Sequence, residues 1–399
     1  MFQYKYLLIG GGMSADSAAK GIRDSDQEGT IGLVGQEADP PYERPPLSKN
    51  LWKGHALDEI WRQTDQKGVT LHLGRRIVAL DAARLVARDD QGDEYQAEKI
   101  LLATGGTPRR LPYGGDEIIY FRTLADYRRL AELAASRQTF AIIGGGFIGA
   151  EVAAGLAMNG KTVTMIFPEE EIGARIYPAD LAFFISNYFR NKGVEVLSAE
   201  TVTGMDPAGN GRSVLHLGSG RDLVVDGVIA GIGITPNLDL AKSAGLAVDK
   251  GILVDEMMQT SQPNLYAAGD VAEFFSPALG KRIRIEHEDA ANKMGRAAGR
   301  SMAGQGAPFT RLPLFYSDLF ELGYEGIGDL DARLAIYEDW AEPFKKGILY
   351  YFRDDRVCGV LNWNVWEKIP EARELIAQTG PFSPADFAAP GGAPWRIAF

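Results

Sequence analysis

Cysteine is all but missing from this chain, with Cys358 standing alone. One thiol excludes an intrachain disulfide, a CxxC redox pair and a cysteine zinc cage, and no metal site of another kind is expected. Any electron chemistry must come from a bound cofactor. Positive charge is also scarce: Lys+Arg 42 against Asp+Glu 53 leaves a net charge of −11. Such a field repels nucleic acid and anionic membrane surfaces, so neither is an expected partner. Long apolar runs are absent, since Ile100 to Ala103 and Ala141 to Ile143 fall far short of the roughly 18 residues that span a bilayer. The stretch from Met1 to Tyr6 lacks the regions of a signal peptide, so the expected location is the cytoplasm, with no membrane span.

What is present is a duplicated design. A hydrophobic content of 45% over 399 residues suits two to three packed domains. Tyr4 to Ile9 reads as a buried strand, followed by Gly10, Gly11 and Gly12, a helix from Ser14 to Ile22 and a strand from Ile31 to Val34. Phe140 to Ile143, then Gly144, Gly145 and Gly146, a helix from Phe147 to Asn159 and a strand from Thr162 to Phe167 repeat the plan. Both are βαβ units. Ile100 to Thr104 and Leu265 to Asp270 read as strands that return to the first unit, which makes the second an insertion. The expected domains are therefore 1–119 with 247–304, then 120–246, then 305–399 as an α+β domain with strands at Ile348 to Arg353 and Val357 to Trp363 and a helix at Ile369 to Gln378. The last segment, Pro381 to Phe399, holds four of the chain's 20 prolines and reads as a mobile or docking tail.

The chemistry of the glycine loops is local. In GxGxxG the first glycine allows a tight turn, the second lets a pyrophosphate approach bare backbone, and the third lets helix and strand pack closely. The phosphates then meet the unpaired amides of a helix N-terminus. Gly144, Gly146 and Gly149 match fully, and Glu169 stands about 20 positions on, where a carboxylate binds ribose hydroxyls and repels a 2′-phosphate. That favours NADH over NADPH, with Arg175 nearby as the counter-indication. The first loop reads Gly10, Gly12 and Ala15, and its ribose position falls at Gln36 or Glu37. Two complete units point to two bound dinucleotides.

The segments DPPYERPPLSK (Asp39 to Lys49), LATGG (Leu101 to Gly105) and AAGD (Ala267 to Asp270) resemble the FAD-containing pyridine nucleotide-dependent oxidoreductases of the ferredoxin-reductase branch. FPE (Phe167 to Glu169), IEHEDA (Ile285 to Ala290), SDLFELGYEGIG (Ser317 to Gly328) and VLNWNVW (Val360 to Trp366) narrow the resemblance to the apoptosis-inducing-factor-like members. The resemblance runs from about Tyr4 to Ala389. It implies FAD on the first loop and NADH on the second, and two Rossmann-like α/β domains with a C-terminal α+β domain. Arg44, Lys49, Ile77, Thr104, Gly105, Arg122 and Asp270 match FAD ligands, with Lys49 beside the isoalloxazine and paired to Glu151. Glu286 and His287 open a helix whose positive end faces the flavin, and Tyr316 stands where the family has an active-site tryptophan. Phe147, Ile148, Glu169, Arg175, Gly233, Glu325 and Asn364 fall near NADH. Glu288 replaces a second family histidine, and the connection from Ile336 to Lys346 is short where vertebrate members carry a long insertion. A homodimer is implied; a role in cell death or DNA binding is not.

The expected reaction moves a hydride from NADH to flavin N5, then electrons to an unidentified acceptor, with Lys49, Glu151 and His287 as the catalytic group. The alternatives are an NADH-sensing flavoprotein whose reduction controls dimerisation or partner binding, and a ferredoxin or quinone reductase. Structural explanations compete at single residues. Lys49 and Glu151 could form a surface ion pair, His287 a helix cap, and Tyr316, Trp363 and Trp366 core aromatics. Cys358 reads as a small buried hydrophobe, and Lys281, Arg282 and Arg284 as either a small docking cluster or a solvated loop.

Overall fold

The computed structural model describes residues 1–388 and 396–399. They form two compact units, one of Met1–Arg44, Leu57–Thr107 and Thr235–Pro313, the other of Pro45–Ala56, Pro108–Ile234 and Leu314–Phe399.

In the first unit the apolar run YLLI ends the strand Phe2–Ile9, which lies at the centre of a sheet. It pairs in parallel with Ile31–Gly35 on one side and Glu94–Leu102 on the other, in registers Tyr6↔Ile31 and Ile9↔Leu102. Leu265–Ala267 joins in parallel beyond, Leu265 facing Ile100. These strands are buried on both faces, hence continuously apolar rather than alternating. The helix Met13–Arg23 covers them, and the helix Glu288–Met302 lies against it. Glycine sets that approach: a Cβ on Gly295 would stand 2.2 Å from the Ser14 carbonyl oxygen, and one on Gly299 2.1 Å from that of Ala18.

A buried ion cluster pins this helix pair. Asp16, wholly buried, accepts from Arg62 Nε at 2.8 Å, Lys67 Nζ at 2.7 Å and Thr64 Oγ1 at 2.6 Å. Arg62 also reaches Ser17 and Asn292, so one guanidinium spans both helices. Burial works against the Asp16 charge, but hydrogen bonds from Lys67, Thr64 and Arg62 outweigh it and hold the carboxyl down to about 2.

The second unit holds an all-parallel sheet in the order Glu195–Leu197, Thr162–Ile166, Thr139–Ile143, Gly227–Ala230, Ile118–Tyr120. A small antiparallel sheet, Val202–Gly209, Arg212–Leu217 and Asp222–Val225, adjoins its core. The same unit holds a five-stranded antiparallel sheet in the order Leu314–Leu319, Leu322–Gly328, Arg356–Trp363, Lys346–Arg353, Ala335–Glu342. The architecture is thus mixed α/β with a C-terminal sheet domain. The units differ from the spans expected from sequence: Pro45–Ala56 and the chain from Pro108 fall in the second unit, and the chain up to Pro313 in the first. Ile118 and Ile119, placed before the insertion, form with Tyr120 an edge strand of the inserted sheet, and Asp239–Ser243, placed inside the insertion, belongs to the first unit, where Ala241 is buried. The C-terminal sheet shares a unit with the inserted sheet. The chain from Ile336 is itself a strand, hairpinned onto Lys346–Arg353.

The tail docks where it is described. Phe382 and Phe387 are buried, Arg396 pairs with buried Asp339, and the Ile397 amide bonds Tyr350 Oη at 3.0 Å. Its residues 389–395 lie outside the described ones. Among the described residues no helix is long and apolar enough to cross a membrane.

Truncating Asp16 leaves the buried Arg62 guanidinium with one of its two carboxylate partners gone, Glu43 remaining. Asp16→Ala is expected to lower unfolding free energy by about 3 kcal/mol in chemical denaturation. Because the folded carboxyl lies below its ordinary 3.8, its contribution is complete above that pH and is lost as pH falls through about 2. The acid limb of the stability curve should therefore flatten in Asp16→Ala; an unchanged limb would contradict the assignment.

Candidate functional site

Each glycine loop follows a buried strand and opens a helix. Gly10 and Gly144 have φ of +124° and +118°, a region where side chains are disfavoured. Both also approach backbone: a Cβ would stand 2.1 Å from the Ala103 carbonyl oxygen at Gly10 and 2.5 Å from that of Gly231 at Gly144. The second glycines differ. At Gly12 and Gly146 no atom lies within 4 Å of where a Cβ would be, and each is the N-cap of its helix with no side-chain cap. An open, uncapped N-terminus of 11 or 12 residues is what a pyrophosphate requires. At the third place Ala15 is fully buried, and a Cβ on Gly149 would stand 2.1 Å from the Gly144 carbonyl oxygen. Both loops therefore fit the dinucleotides the sequence implies.

Beyond the first loop Gln36 is exposed, whereas Glu37 is held by Tyr42 Oη at 2.6 Å and by Arg44 Nη2. The Gly74 amide bonds the Glu37 carbonyl at 3.0 Å and that of Arg75 the Gly35 carbonyl at 2.9 Å, which brings the buried Ile77 to this end of the sheet. Thr104 and Gly105 are clamped by Asn237, whose Nδ2 donates to the Thr104 carbonyl at 2.8 Å and whose amide donates to that of Gly105 at 3.0 Å. Asp270 follows Gly269, and its carbonyl accepts from Arg284 Nη1 at 3.0 Å. His287 caps the helix Glu288–Met302, its Nδ1 accepting from the Asp289 amide at 3.4 Å. Glu286 pairs with Arg284 at 2.6 Å.

Beyond the second loop Glu169 accepts from Arg175 Nη2 at 2.6 Å, so the carboxylate expected at the ribose and the arginine expected to offset it are partners. Phe147 and Ile148 are exposed at the helix start, and Phe147 lies 5.7 Å from Phe315. Gly233 has φ +91° and its carbonyl accepts the Arg109 amide. The Arg122 amide bonds Asp126 just before the helix Leu124–Ser136.

The most constrained group is Glu151, on the inner face of the helix Phe147–Met158 and 3% exposed. Its Oε1 accepts from Lys49 Nζ and from Ser317 Oγ, and its Oε2 from Ser48 Oγ, each at 2.6 Å. Three donors from two chain segments meet one carboxylate. Lys49 Nζ lies 5.3 Å from the Tyr316 ring centroid, within cation–π range. Trp52 fixes the segment that carries Lys49: its Nε1 donates to the Leu47 carbonyl at 2.8 Å, and its ring abuts Gly155 of the same helix. Across the C-terminal sheet Tyr316 faces Glu325. Burial, with the charge of Glu367 adding, pushes the Glu325 carboxyl up against a hydrogen bond from the Glu367 backbone. Asn364, at φ +49°, bonds Gly323 and the Lys345 carbonyl.

Lys49 and Glu151 thus form a buried pair, not a surface one, and Tyr316 joins them. Trp363 is fully buried in the core, Trp366 is half-exposed, and Cys358 is buried. The basic cluster is a strand, Lys281–Arg284, in which Arg282 bonds the Val254 and Glu273 carbonyls. Sequence reasoning missed Tyr42, Ser48, Asn237 and Ser317. Ser48 and Ser317 lie inside matched motifs and could have been found there; Asn237 carries no local signal.

Residues 4–295 match the family described as Pyridine nucleotide-disulphide oxidoreductase, and 337–378 match the family described as Apoptosis-inducing factor, mitochondrion-associated, C-term. Apoptosis-inducing factor 1, mitochondrial, of Dictyostelium discoideum is 31% identical over 94% of this chain and 78% of its own. Putidaredoxin reductase of Pseudomonas putida is 30% identical over 95% and 93%. A crystal structure of the covalent putidaredoxin reductase–putidaredoxin complex superposes with a TM-score of 0.89 at 29% identity, covering 96% of this chain and 95% of that one.

Overpacking separates the two loops. Gly10→Ala is expected to purify with less flavin, and Gly149→Ala to retain flavin while binding NADH about 10-fold more weakly. Flavin absorbance and an NADH titration decide; both variants behaving alike would contradict the division of labour.

Proposed function

The chain belongs to the pyridine nucleotide-disulphide oxidoreductases, and from that premise we propose that it is an NADH oxidoreductase that works without a dithiol and hands electrons to a ferredoxin-like carrier. The observation that carries the reading is the pair of open, uncapped glycine loops, one in each unit. FAD, which the loop of Gly10, Gly12 and Ala15 would hold, would supply the hydride and electron chemistry.

The chain's own residues bind and orient. The Gly12 and Gly146 helix starts hold the pyrophosphates, and Glu169 accepts from the adenosine ribose of NADH and disfavours a 2′-phosphate. The ion pair with Arg175 keeps that carboxylate in place. Glu325 is an acceptor for the nicotinamide amide, since its Oε2 is buried with no partner among the described residues. Lys49, which the family resemblance sets beside the flavin ring, is a fixed cation there, because Glu151 and Tyr316 limit its motion. His287 is held as a helix cap, which supports a role in orienting the helix start rather than in moving a proton. The lone Cys358 is buried and contacts the Tyr351 and Asp329 carbonyls, a setting that supports structural inertness. The ferredoxin-like acceptor is favoured by the putidaredoxin reductase likeness.

Anaerobic stopped-flow reduction tests the donor, and reoxidation by ferredoxin, quinone and oxygen tests the acceptor. NADH is expected to reduce the flavin at least about 10-fold more efficiently than NADPH, and Glu169→Ala to narrow that ratio. Reoxidation should be fastest with ferredoxin. Equal use of both nucleotides, or a reduced protein indifferent to every acceptor, would contradict the reading.

A further inference from the structure

One row of the C-terminal sheet runs through the register positions Tyr316↔Glu325, Glu325↔Asn362, Asn362↔Ile348 and Ile348↔Asp339. Directly paired residues of antiparallel strands project from the same face, with Cβ atoms roughly 5 Å apart. Lys49 lies over the first residue of the row, and Arg396 bonds the last. Asn362, in the middle, is 0% exposed, and neither its Oδ1 nor its Nδ2 has a hydrogen-bond partner among the described residues. Its neighbour Glu325 has a buried Oε2 that is also unpartnered. An unpaired amide in a core costs free energy, whereas leucine at the same place would cost none. Two complementary orphans, an N–H2 donor and a carboxylate acceptor, thus face each other at adjacent register positions, beside buried apolar residues such as Ile348 and Val360.

We propose that Asn362 is a positioning residue for nicotinamide recognition: its Nδ2 donates to Glu325 Oε2 when the nucleotide is bound, fixing the other carboxylate oxygen to accept from the nicotinamide carboxamide. This rests on the reading of Glu325 as the carboxamide acceptor. Asn362, fully buried, acts through Glu325 and does not itself touch the nucleotide. It is a polar group kept in a core at a cost in stability, and it works only when a ligand completes the arrangement.

The test uses the full-length flavoprotein and two readouts, the dissociation constant for NADH and the thermal midpoint without nucleotide. Asn362→Leu removes an unpaired amide, so its midpoint should equal or exceed that of the parent, while NADH binds about 10-fold more weakly and the limiting reduction rate changes less. Asn362→Asp keeps the size, sets a carboxylate against Glu325 and should weaken NADH at least as much. In a Glu325→Ala background Asn362→Leu should add nothing, since the residue it positions is gone. Parental NADH affinity in Asn362→Leu and Asn362→Asp, or additive losses in the double variant, would overturn the role of Asn362 while leaving Glu325 in place. Parental affinity in Glu325→Ala would overturn the carboxamide reading and the proposal with it.

Discussion

A single carboxylate ties together three segments of the second unit. Glu151 has almost no contact with solvent, and an unpaired charge in that position would cost several kcal/mol. The cost is offset because three donors converge on it: Ser48 and Lys49 from the segment after the paired prolines, and Ser317 from the first strand of the C-terminal sheet. One side chain of the inserted domain thereby joins a 3-10 segment and a β-sheet that are remote in sequence. Its charge is felt further out, adding to the burial that pushes the phenols of Tyr177 and Tyr324 far above their usual range. Lys49 inherits its orientation from this arrangement, between the carboxylate on one side and the Tyr316 ring on the other.

The first unit is organised by a comparable device used for another purpose. Asp16 and Arg62 are both buried, and their network spans the helix that follows the glycine loop, the Arg62–Lys67 stretch and the helix that His287 caps. The glycines at 295 and 299 let the two helices approach to backbone contact, and the ions fix their relative position along the axis. Both helix starts are thus placed by interactions well away from any ligand. That leaves the amides at Gly12 uncommitted to side-chain caps, as phosphate binding requires.

Much of this was legible in the sequence, and the reason is locality. The glycine loops, the strands on either side and the helix starts depend on residues within a few positions of one another, so Gly10, Gly12, Gly144, Gly146 and Gly149 could be read directly. Lys49 and Glu151 could be paired only because motifs were recognised at both places. What stayed hidden depends on residues far apart. Ser317 reaches Glu151 across 166 positions and Asn237 reaches Thr104 across 133, and neither spacing leaves a periodic trace. The strand Ile118–Tyr120 straddles the boundary expected between residues 119 and 120, because three apolar residues carry no sign of which sheet they complete. Asn362 was passed over within a matched motif, since an asparagine between Leu361 and Trp363 reads as part of an ordinary strand until its lack of partners is seen.

The proposal that Lys49 serves as a fixed cation rests on its burial against Glu151. The most direct measurement is the anaerobic rate of flavin reduction by NADH in Glu151→Gln, which keeps the size of the side chain and removes its charge. The account predicts a protein that folds, retains its flavin and is reduced at least about 10-fold more slowly than the parent. Reduction at the parental rate, with the flavin spectrum unchanged, would contradict it.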